Sequence, residues 1–426
     1  MTTDVMAPPI TTATVADVEA ISAWASEPEW LRERRLVAWR LYESMDLPDP
    51  SDEEWRRTDV RAIPLHGLRP DTVALTLEDS AALQAQGVIF TDLRTAVREH
   101  GDLIQKYLGT AVKAGEWKYL ALNAALWDGG AFLYVPKDVE VTLPVQLTQT
   151  IASDGRAVFP RTLIIAERNA RASIIDEARS ADGGAPSFVS GAVEIFVGDG
   201  AKVEYYSVNR WGDGVYNFNT VRAMLGRDAE FTGAAAGVGS KLTKMRIDAQ
   251  MPQPGARTQL LGVTFGSGDQ HFDYNTRQEH TGHHTISDLQ FKSALTDSAS
   301  LVWYGVTRIN PTAGGSEANQ TSRNLLLSEH AKAAPIPILE IEAWDVAKCS
   351  HGATAGPVDE DDLFYLQARA IPRETAEQML VEGFFADVID RFPNAHVRDR
   401  VMDAILDKLG GDSKLNLSLD ELLGAS

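Results

Sequence analysis

Cys349 and His351 are the residues whose types and spacing most directly suggest chemistry. Cys349 is the single cysteine among 426 residues, and His351 follows it two positions later. If the segment is a strand, alternate side chains share one face, which brings the thiol and the imidazole together with Cα atoms roughly 7 Å apart. A thiolate and an imidazole so placed can bind a thiophilic metal or accept sulfur, especially beside a cation that favours the thiolate. The alternative is that the cysteine is a plain buried hydrophobe.

A second group of candidates is the histidine-rich segment at residues 280–284, with His271 upstream. Neutral imidazole is a common ligand of zinc, iron and copper, but this spacing matches no strong metal signature. On a strand, His280 and His284 would share a face while His283 points away. His280 and His284 are therefore weaker metal candidates, and surface or stacked histidines are the alternative interpretation.

Motifs for common nucleotide and hydrolase chemistries are missing from the sequence. The Gly-rich residues 237–241 lack the Gly-Lys pair that places an ammonium group on phosphates, so we expect no ATP hydrolysis by this chain. Residues 266–268 are the nearest match to a serine nucleophile elbow, and they are more typical of a turn. The sequence therefore predicts a protein without these enzymatic activities.

The net charge of the chain limits the classes of partner that it is expected to bind. The 40 Lys and Arg residues are outnumbered by 60 Asp and Glu residues, which gives a net charge of −20. Such a surface repels phosphates and anionic lipid, so neither nucleic acid nor a membrane is an expected partner. No apolar run approaches the roughly 18 residues of a membrane helix, and the first residues resemble no secretory or transit peptide. Together with the lone cysteine, these features predict a cytoplasmic location.

Hydropathy patterns divide the chain into three blocks that would position the candidate residues. Apolar residues at helical spacing over residues 14–46 and 77–107 predict a helical N-terminal domain, residues 1–130. Short β-branched or aromatic runs separated by turn residues then predict a β core, residues 131–355. An acidic first turn and a renewed helical period predict a helical C-terminal domain, residues 356–426.

Within the β core, one unit recurs that consists of a turn residue, an alanine and a strand. Its alanines are Ala170, Ala201, Ala229 and Ala256, at intervals of 31 (170 to 201), 28 (201 to 229) and 27 (229 to 256) residues. Strands at such a period without helices between them favour stacked β-rungs, which form backbone hydrogen bonds between rungs and leave edges only at the two ends. A double-sheet sandwich is the competing architecture.

Two apolar stripes lie on the helix predicted over residues 375–392. The first stripe contains Met379, Leu380 and Phe384, and the second contains Val381, Phe385, Val388, Ile389 and Phe392. One stripe can pack against the chain's own domain. The other needs either a neighbouring helix of the same chain or a partner protein, so Phe385 and Ile389 are candidate partner-docking residues.

Three segments near the C-terminal end form a signature that can be compared with known families. They are residues 337–341, residues 349–354, and residues 362–366 with Arg369. Together with residues 27–30 and 54–59 near the start, they resemble the SufB/SufD family of iron–sulfur cluster assembly scaffolds over nearly the whole chain. SufB-like chains carry a Glu where Gly352 follows the histidine, and an additional upstream cysteine, so the resemblance is to the SufD branch.

The resemblance implies a right-handed parallel β-helix core flanked by N-terminal and C-terminal helical domains. It also implies a non-catalytic scaffold subunit that pairs with a SufB-like paralogue, docks a SufC-like ATPase through its C-terminal helices, and forms a homodimer when isolated. Sulfur would arrive indirectly from a cysteine desulfurase system. Iron or an iron–sulfur cluster would be held transiently at the interface with the SufB-like partner, with Cys349 and His351 as candidate ligands. Flavin is implied for the complex.

Two other classes of function compete with this expectation. A β-helix carbohydrate-active enzyme, such as a lyase or an esterase, would need carboxylates or basic residues clustered on one rung face. A homodimeric metal-binding structural protein would have neither an ATPase nor a paralogue among its partners. Co-purification from the native cell would discriminate among the three, because an ATPase together with a larger paralogue would support cluster assembly.

Overall fold

The computed structural model describes residues 10–78, 83–392 and 395–409 of the chain. One group of helices precedes the β core: α1 (Val15–Trp24), α2 (Glu29–Ser44), α3 (Leu93–Glu99), α4 (Gly101–Tyr107) and α5 (Lys118–Leu126). A second group follows it: α6 (Glu360–Gln367), α7 (Arg373–Ile389) and α8 (Ala395–Lys408). Within these described ranges, no helix has both the length and the apolar character needed to cross a membrane.

The strands form two sheets. In chain order they are β1 (Arg69–Asp71), β2 (Ala74–Leu77), β3 (Ile89–Asp92), β4 (Ala131–Val135), β5 (Val145–Thr150), β6 (Arg156–Val158), β7 (Arg161–Ala166), β8 (Arg171–Arg179), β9 (Ser187–Val197), β10 (Lys202–Arg210), β11 (Val215–Leu225), β12 (Glu230–Gly237), β13 (Leu242–Met251), β14 (Arg257–Gly266), β15 (His271–His280), β16 (Ile286–Leu295), β17 (Ser300–Ile309), β18 (Glu317–Leu326), β19 (Lys332–Ile341) and β20 (Lys348–Pro357). The first sheet has the order β19-β17-β15-β13-β11-β9-β7-β4-β3, with β6 beside β9 and β1 beside β6. The second sheet has the order β2-β5-β8-β10-β12-β14-β16-β18-β20.

From β7 onward, consecutive strands alternate between the two sheets. Each strand therefore pairs in parallel with the strand two places later, as β8 does with β10 and β10 with β12. A sandwich of hairpins would give antiparallel neighbours, whereas this pattern is a coil of stacked rungs. The structure thus confirms the predicted fold class, a parallel β-helix with helices at both ends.

The repeated alanines mark one corner of the coil. The residue before each of them has a left-handed φ: Asn169 (+58°), Gly200 (+66°), Asp228 (+53°) and Gly255 (+73°). Gly, Asn and Asp adopt this conformation at the lowest cost, which explains why the repeat begins with these residue types. The alanines themselves are Ala170, Ala201, Ala229 and Ala256, and each is 0% exposed. Each small methyl group packs inside the corner, so the alanine spacing measures the length of a rung.

The N-terminal block is not helical throughout. The apolar pattern over residues 77–107 predicts a continuous helix, but Ile89–Asp92 is a strand that pairs antiparallel with β4. The helix begins only after Asp92, whose carboxylate accepts a hydrogen bond from the backbone N–H of Thr95 at 2.9 Å. Strand β2 pairs antiparallel with β5 in the other sheet. These two antiparallel strands close the N-terminal end of the β-helix.

Helices α7 and α8 pack on the outer face of the second sheet. Phe385 is 0% exposed and Ile389 is 4% exposed, and both belong to a buried cluster with Leu261 and Val263 of β14. The partner-docking role predicted for Phe385 and Ile389 is therefore wrong, because both side chains lie in the core between α7 and the chain's own sheet. The period of a helix shows that a face is apolar, but it does not show what covers that face. Residues 410–426 of the predicted C-terminal domain lie outside the described residues.

Candidate functional site

Cys349 and His351 lie on β20, the last strand of the second sheet. In the parallel register, Cys349 pairs with Ala318 and His351 pairs with Gln320. Ala318 and Gln320 are buried inside the β-helix, at 3% and 0% exposed, so the thiol and the imidazole face the interior side of the sheet. No strand in the described part of the chain lies beyond β20. His351 is consequently exposed, while Cys349 is half-buried against a small apolar cluster that includes Ala318.

The Cys349 thiol is not activated in the isolated chain. Burial raises the pKa of Cys349, and no charged group among the described residues opposes that effect. A neighbouring cation would favour the thiolate, whereas the environment in the structure favours the neutral thiol. A bound metal or a cation from a partner would reverse this, since metal coordination deprotonates a thiol.

His280 has a structural environment rather than that of an available ligand. It is the last residue of β15 and is 0% exposed. Its Nδ1 is 2.8 Å from the hydroxyl of Thr285, and its Nε2 is 2.8 Å from the hydroxyl of Ser287. Because burial disfavours the imidazolium, the pKa of His280 is lowered to about 4. Both ring nitrogens are already hydrogen-bonded, which favours a role in the interior packing.

His284 does not share a strand face with His280. Its φ is +54°, and it occupies the same left-handed corner that Gly255 occupies one rung earlier. This corner interrupts the alternation on which the predicted pairing of the two imidazoles depends. His283 and His284 are both exposed, whereas His280 is buried.

His271 contacts a different part of the molecule. Its Nε2 is 2.8 Å from the hydroxyl of Thr58, in the N-terminal block, and its Nδ1 is 2.8 Å from the hydroxyl of Ser300. Across the residues that the structure describes, no group of three or more His, Cys, Asp or Glu side chains is placed to hold a metal ion. Cys349 and His351 therefore lie outside any such group in the described structure, and their role as ligands stays a prediction.

The free edge of β20 offers a row of backbone donors. The N–H of Lys348 points towards β18 and donates to the carbonyl of Ser316 at 3.5 Å. Because backbone groups alternate along a strand, the N–H groups of the odd-numbered residues face the other way. These residues are Cys349, His351, Ala353 and Ala355. The strand that carries the candidate ligands can therefore accept a further strand from a partner.

The free edge of β19 is blocked to such pairing. The N–H of Lys332 donates to the carbonyl of Ala299 at 3.1 Å, towards β17, so odd-numbered positions again face the free edge. Pro335 and Pro337 occupy two of those positions, and proline has no N–H to donate. The open end of the β-helix therefore has one edge suited to strand addition and one edge protected against it.

Large apolar side chains surround this open end and the helix that follows it. Trp344, in the loop between β19 and β20, is 97% exposed, and Ile341 is 47% exposed. On α6, Phe364 is 72% exposed and Tyr365 is 57% exposed. The sequence places Phe364 and Tyr365 in a family signature but gives no sign of their exposure. Exposed aromatic groups of this kind are frequent at protein–protein interfaces.

Comparisons with known proteins assign the chain to a family. Residues 149–384 match the family model described as SUF system FeS cluster assembly, SufBD core domain, and residues 71–147 match the SufBD protein N-terminal region. The chain is 32% identical over 420 residues to the iron–sulfur cluster assembly protein SufD of Bacillus subtilis (strain 168), a match that covers 91% of this chain and 96% of that protein. It is 29% identical over 415 residues to an iron–sulfur cluster assembly SufBD family protein of Staphylococcus epidermidis (strain ATCC 12228), covering 88% and 89% of the two chains.

The chain therefore belongs to the SufBD family of iron–sulfur cluster assembly proteins. The fold agrees with this assignment, because the family core match coincides largely with the stacked rungs of the β-helix. The family resemblance carried by the three C-terminal segments is confirmed.

Proposed function

We propose that this chain is a non-catalytic scaffold subunit of a SufBCD-type complex, in which it pairs with a SufB-like paralogue through the open end of its β-helix. The observation that carries the proposal is the difference between the two ends. Antiparallel strands and helices cover the N-terminal end, while β19 and β20 have no strand beyond them in the described structure. In a protein that functions alone, a long uncovered strand edge can pair with other chains and cause aggregation. In a protein that functions in a complex, the same edge can serve as an interface.

A paralogue of the same fold is the partner that best suits this end. It would carry its own terminal rung, so strand addition along β20 would join two β-helices end to end. The prolines of β19 restrict the pairing to the second sheet, which limits the orientations in which the partner can bind. In the absence of the paralogue, a second copy of this chain can occupy the same edge, which supports the homodimer expected for the isolated protein.

The pairing can be tested at Ala353, whose N–H faces the free edge of β20. Ala353→Pro removes this donor and leaves the hydrogen bonds to β18 intact, because those come from even-numbered residues. We expect the variant to be folded by circular dichroism but to lose a co-expressed SufB-like paralogue in affinity purification. The matched control, Ala353→Ser, keeps the N–H and should retain the paralogue. Retention of the paralogue by Ala353→Pro at the wild-type ratio would contradict pairing through β20.

The same interface would place the nascent cluster. A typical cluster has about four protein ligands, so Cys349 and His351 provide half of a set and the paralogue would provide the rest. The iron and the cluster are then transient cargo of the assembled complex, and the isolated chain should bind iron poorly. Sulfur would arrive indirectly from a cysteine desulfurase system, and flavin stays a prediction for the complex.

The C-terminal helices provide the surface for a SufC-like ATPase in this proposal. Phe385 and Ile389 are not available for it, so the exposed aromatic residues of α6 are the better candidates. Phe364 is 72% exposed, and the guanidinium of Arg369 stacks on the ring of Tyr365 at 3.5 Å. This surface combines apolar rings with a cationic group and lies beside the acidic first turn of α6, a mixture that is suited to a protein partner. The surface is also close in sequence to β20.

Substitution of the exposed aromatic pair tests this docking surface. Phe364→Ser combined with Tyr365→Ser should abolish co-purification of the ATPase while the SufB-like paralogue is retained, because neither side chain belongs to the described core clusters. Trp24→Ser removes a side chain of equal exposure, 72%, from the other end of the chain and serves as the control. If the double variant keeps the ATPase at the wild-type ratio, the docking surface lies elsewhere.

A further inference from the structure

A polar cavity lies between the two sheets in the first rungs of the β-helix, far in sequence from β20. Its lining includes the side chains of Gln149, Asp176, Ser207, Asn217 and Asn219. The space open to the centre of a water-sized sphere is about 20 Å³, which is enough for one water molecule or one ion of similar size. The interior of the neighbouring rungs is largely apolar, so this polar lining requires an explanation.

Asp176 is the most unusual member of the lining. Its side chain is in the interior of β8 and 4% exposed, yet the described residues include no Lys, Arg or His that forms an ion pair with it. Its Oδ1 accepts a hydrogen bond from Nε2 of Gln149 at 2.7 Å, and its Oδ2 accepts one from the hydroxyl of Tyr205 at 2.7 Å. Burial raises the pKa of Asp176 to about 6, so the carboxylate is largely ionised at pH 7.5. Buried charges are normally paired or bound to a metal.

The cavity also contains hydrogen-bond acceptors that have no donor. Oδ1 of Asn217 and Oδ1 of Asn219 are buried and unpartnered in the described structure, and Asn217 is only 3% exposed. Gly191 faces this region, and a Cβ atom there would lie 2.8 Å from Oδ1 of Asn219. The glycine therefore leaves room for the Asn219 amide beside the cavity, whose lining combines a carboxylate without an ion pair and two amide oxygens without a hydrogen-bond donor.

We propose that this cavity binds one monovalent alkali-metal cation through the oxygen atoms of Asp176, Asn217 and Asn219. Hard oxygen donors without nitrogen or sulfur suit such ions. A single carboxylate is neutralised by one positive charge, whereas a divalent ion would leave a buried net charge. Trp211 lines both this cavity and an open groove of about 630 Å³, so a single side chain stands between the cavity and the groove. The site is independent of the proposed pairing at β20.

Cation-specific thermal stability tests the proposal. The midpoint of thermal unfolding at pH 7.5 is measured in NaCl, KCl and choline chloride at equal ionic strength, so that general screening of the negative chain is the same in all three. We expect a higher midpoint in NaCl or KCl than in choline chloride, rising on the order of 2 °C for each tenfold increase in cation above its dissociation constant. Equal midpoints in the three salts would overturn the site.

Two cavity variants and one control variant locate the effect. Asp176→Asn should abolish the difference between alkali salts and choline chloride, whereas Glu230→Gln, which removes one exposed charge from a neighbouring rung, should preserve it. Asn217→Ala should reduce the difference and serves as a second test if Asp176→Asn does not fold. A cation-specific shift that survives in both cavity variants would contradict the assignment.

Thallium(I) binding can be located directly in a crystal of the wild-type protein. A crystal of the wild-type chain soaked in thallium(I) acetate should show an anomalous scattering peak within the cavity, beside Asp176. A cavity that contains only a water molecule, with no anomalous peak, would overturn the proposal. A stabilising effect confined to Ca²⁺ would also contradict it, since that result requires more negative charge than the lining provides.

Discussion

At the scale of single residues, His280 shows how strongly an interior position fixes the state of an imidazole. Both ring nitrogens are 2.8 Å from hydroxyl oxygens, and the side chain is 0% exposed. Protonation would place a charge in a site whose partners are neutral hydroxyl groups. Protonation of His280 therefore favours the unfolded state.

This opposition predicts a pH dependence of stability. The pKa of His280 is about 4 in the folded chain and about 6.5 in the unfolded chain, so the unfolded state binds the proton more readily and stability falls as the pH decreases from 7 towards 4. The loss between pH 7 and pH 5 should be about 2 kcal/mol from this residue. Urea titrations at the two pH values should show a smaller loss for His280→Gln, which cannot titrate. Equal losses for both proteins would show that His280 is not the cause.

At the scale of elements, α7 is held to the second sheet by its buried aromatic and aliphatic face. Phe385→Ala removes a fully buried ring and leaves a cavity between helix and sheet, which should lower the free energy of unfolding by about 3–5 kcal/mol. Phe364→Ala, on the exposed face of α6, should change it by less than about 0.5 kcal/mol. Both values can be obtained by urea denaturation of the isolated chain. A wild-type midpoint for Phe385→Ala would show that α7 is not packed on the sheet in solution.

The elements that the sequence predicts well are those with a repeated physical requirement. Each rung needs a left-handed corner and a small residue inside it, so Asn169 with Ala170 and Gly255 with Ala256 indicate the rung length by their residue types alone. The same rule explains why the shared strand face predicted for His280 and His284 is wrong. His284 occupies a left-handed corner, but histidine is not a residue type that indicates such a corner. The error at Phe385 has a different cause, since its partner surface on β14 is more than 100 positions away in sequence.

The candidate ligands are predictable only in part. The two-residue spacing of Cys349 and His351 indicates a shared face if the segment is extended, and the register with Ala318 and Gln320 places them on one interior face. The exposure of His351 depends on β20 being the last described strand, which the local sequence does not specify. The raised pKa of the Cys349 thiol depends on its burial against a cluster that is distant in sequence. The protection of β19 by Pro335 and Pro337 likewise becomes meaningful only when the direction of each N–H is known.

At the scale of the whole molecule, the described part of the chain is a coil closed at one end and open at the other. The closed end is covered by the N-terminal helices and antiparallel strands. The open end carries the candidate ligands Cys349 and His351, a free strand edge with backbone donors, and the exposed Trp344. This polarity is what a scaffold requires if its cargo is assembled between two subunits. In the proposed complex, the Cys349 thiol, whose pKa burial raises in the isolated chain, would become a ligand only when a metal or a partner is present.

Cluster reconstitution on the assembled complex tests this account of the open end most directly. Iron and acid-labile sulfide are measured per complex containing wild-type chain, Cys349→Ser, His351→Ala, or the control Ala353→Ser, after confirming that each complex assembles with the same subunit ratio. We predict that Cys349→Ser and His351→Ala yield less than about half of the wild-type clusters, because a hydroxyl or a methyl group cannot replace a soft thiolate or an imidazole. The control should match the wild type. Wild-type rates and stoichiometry of cluster formation in both ligand variants would contradict assembly at Cys349 and His351.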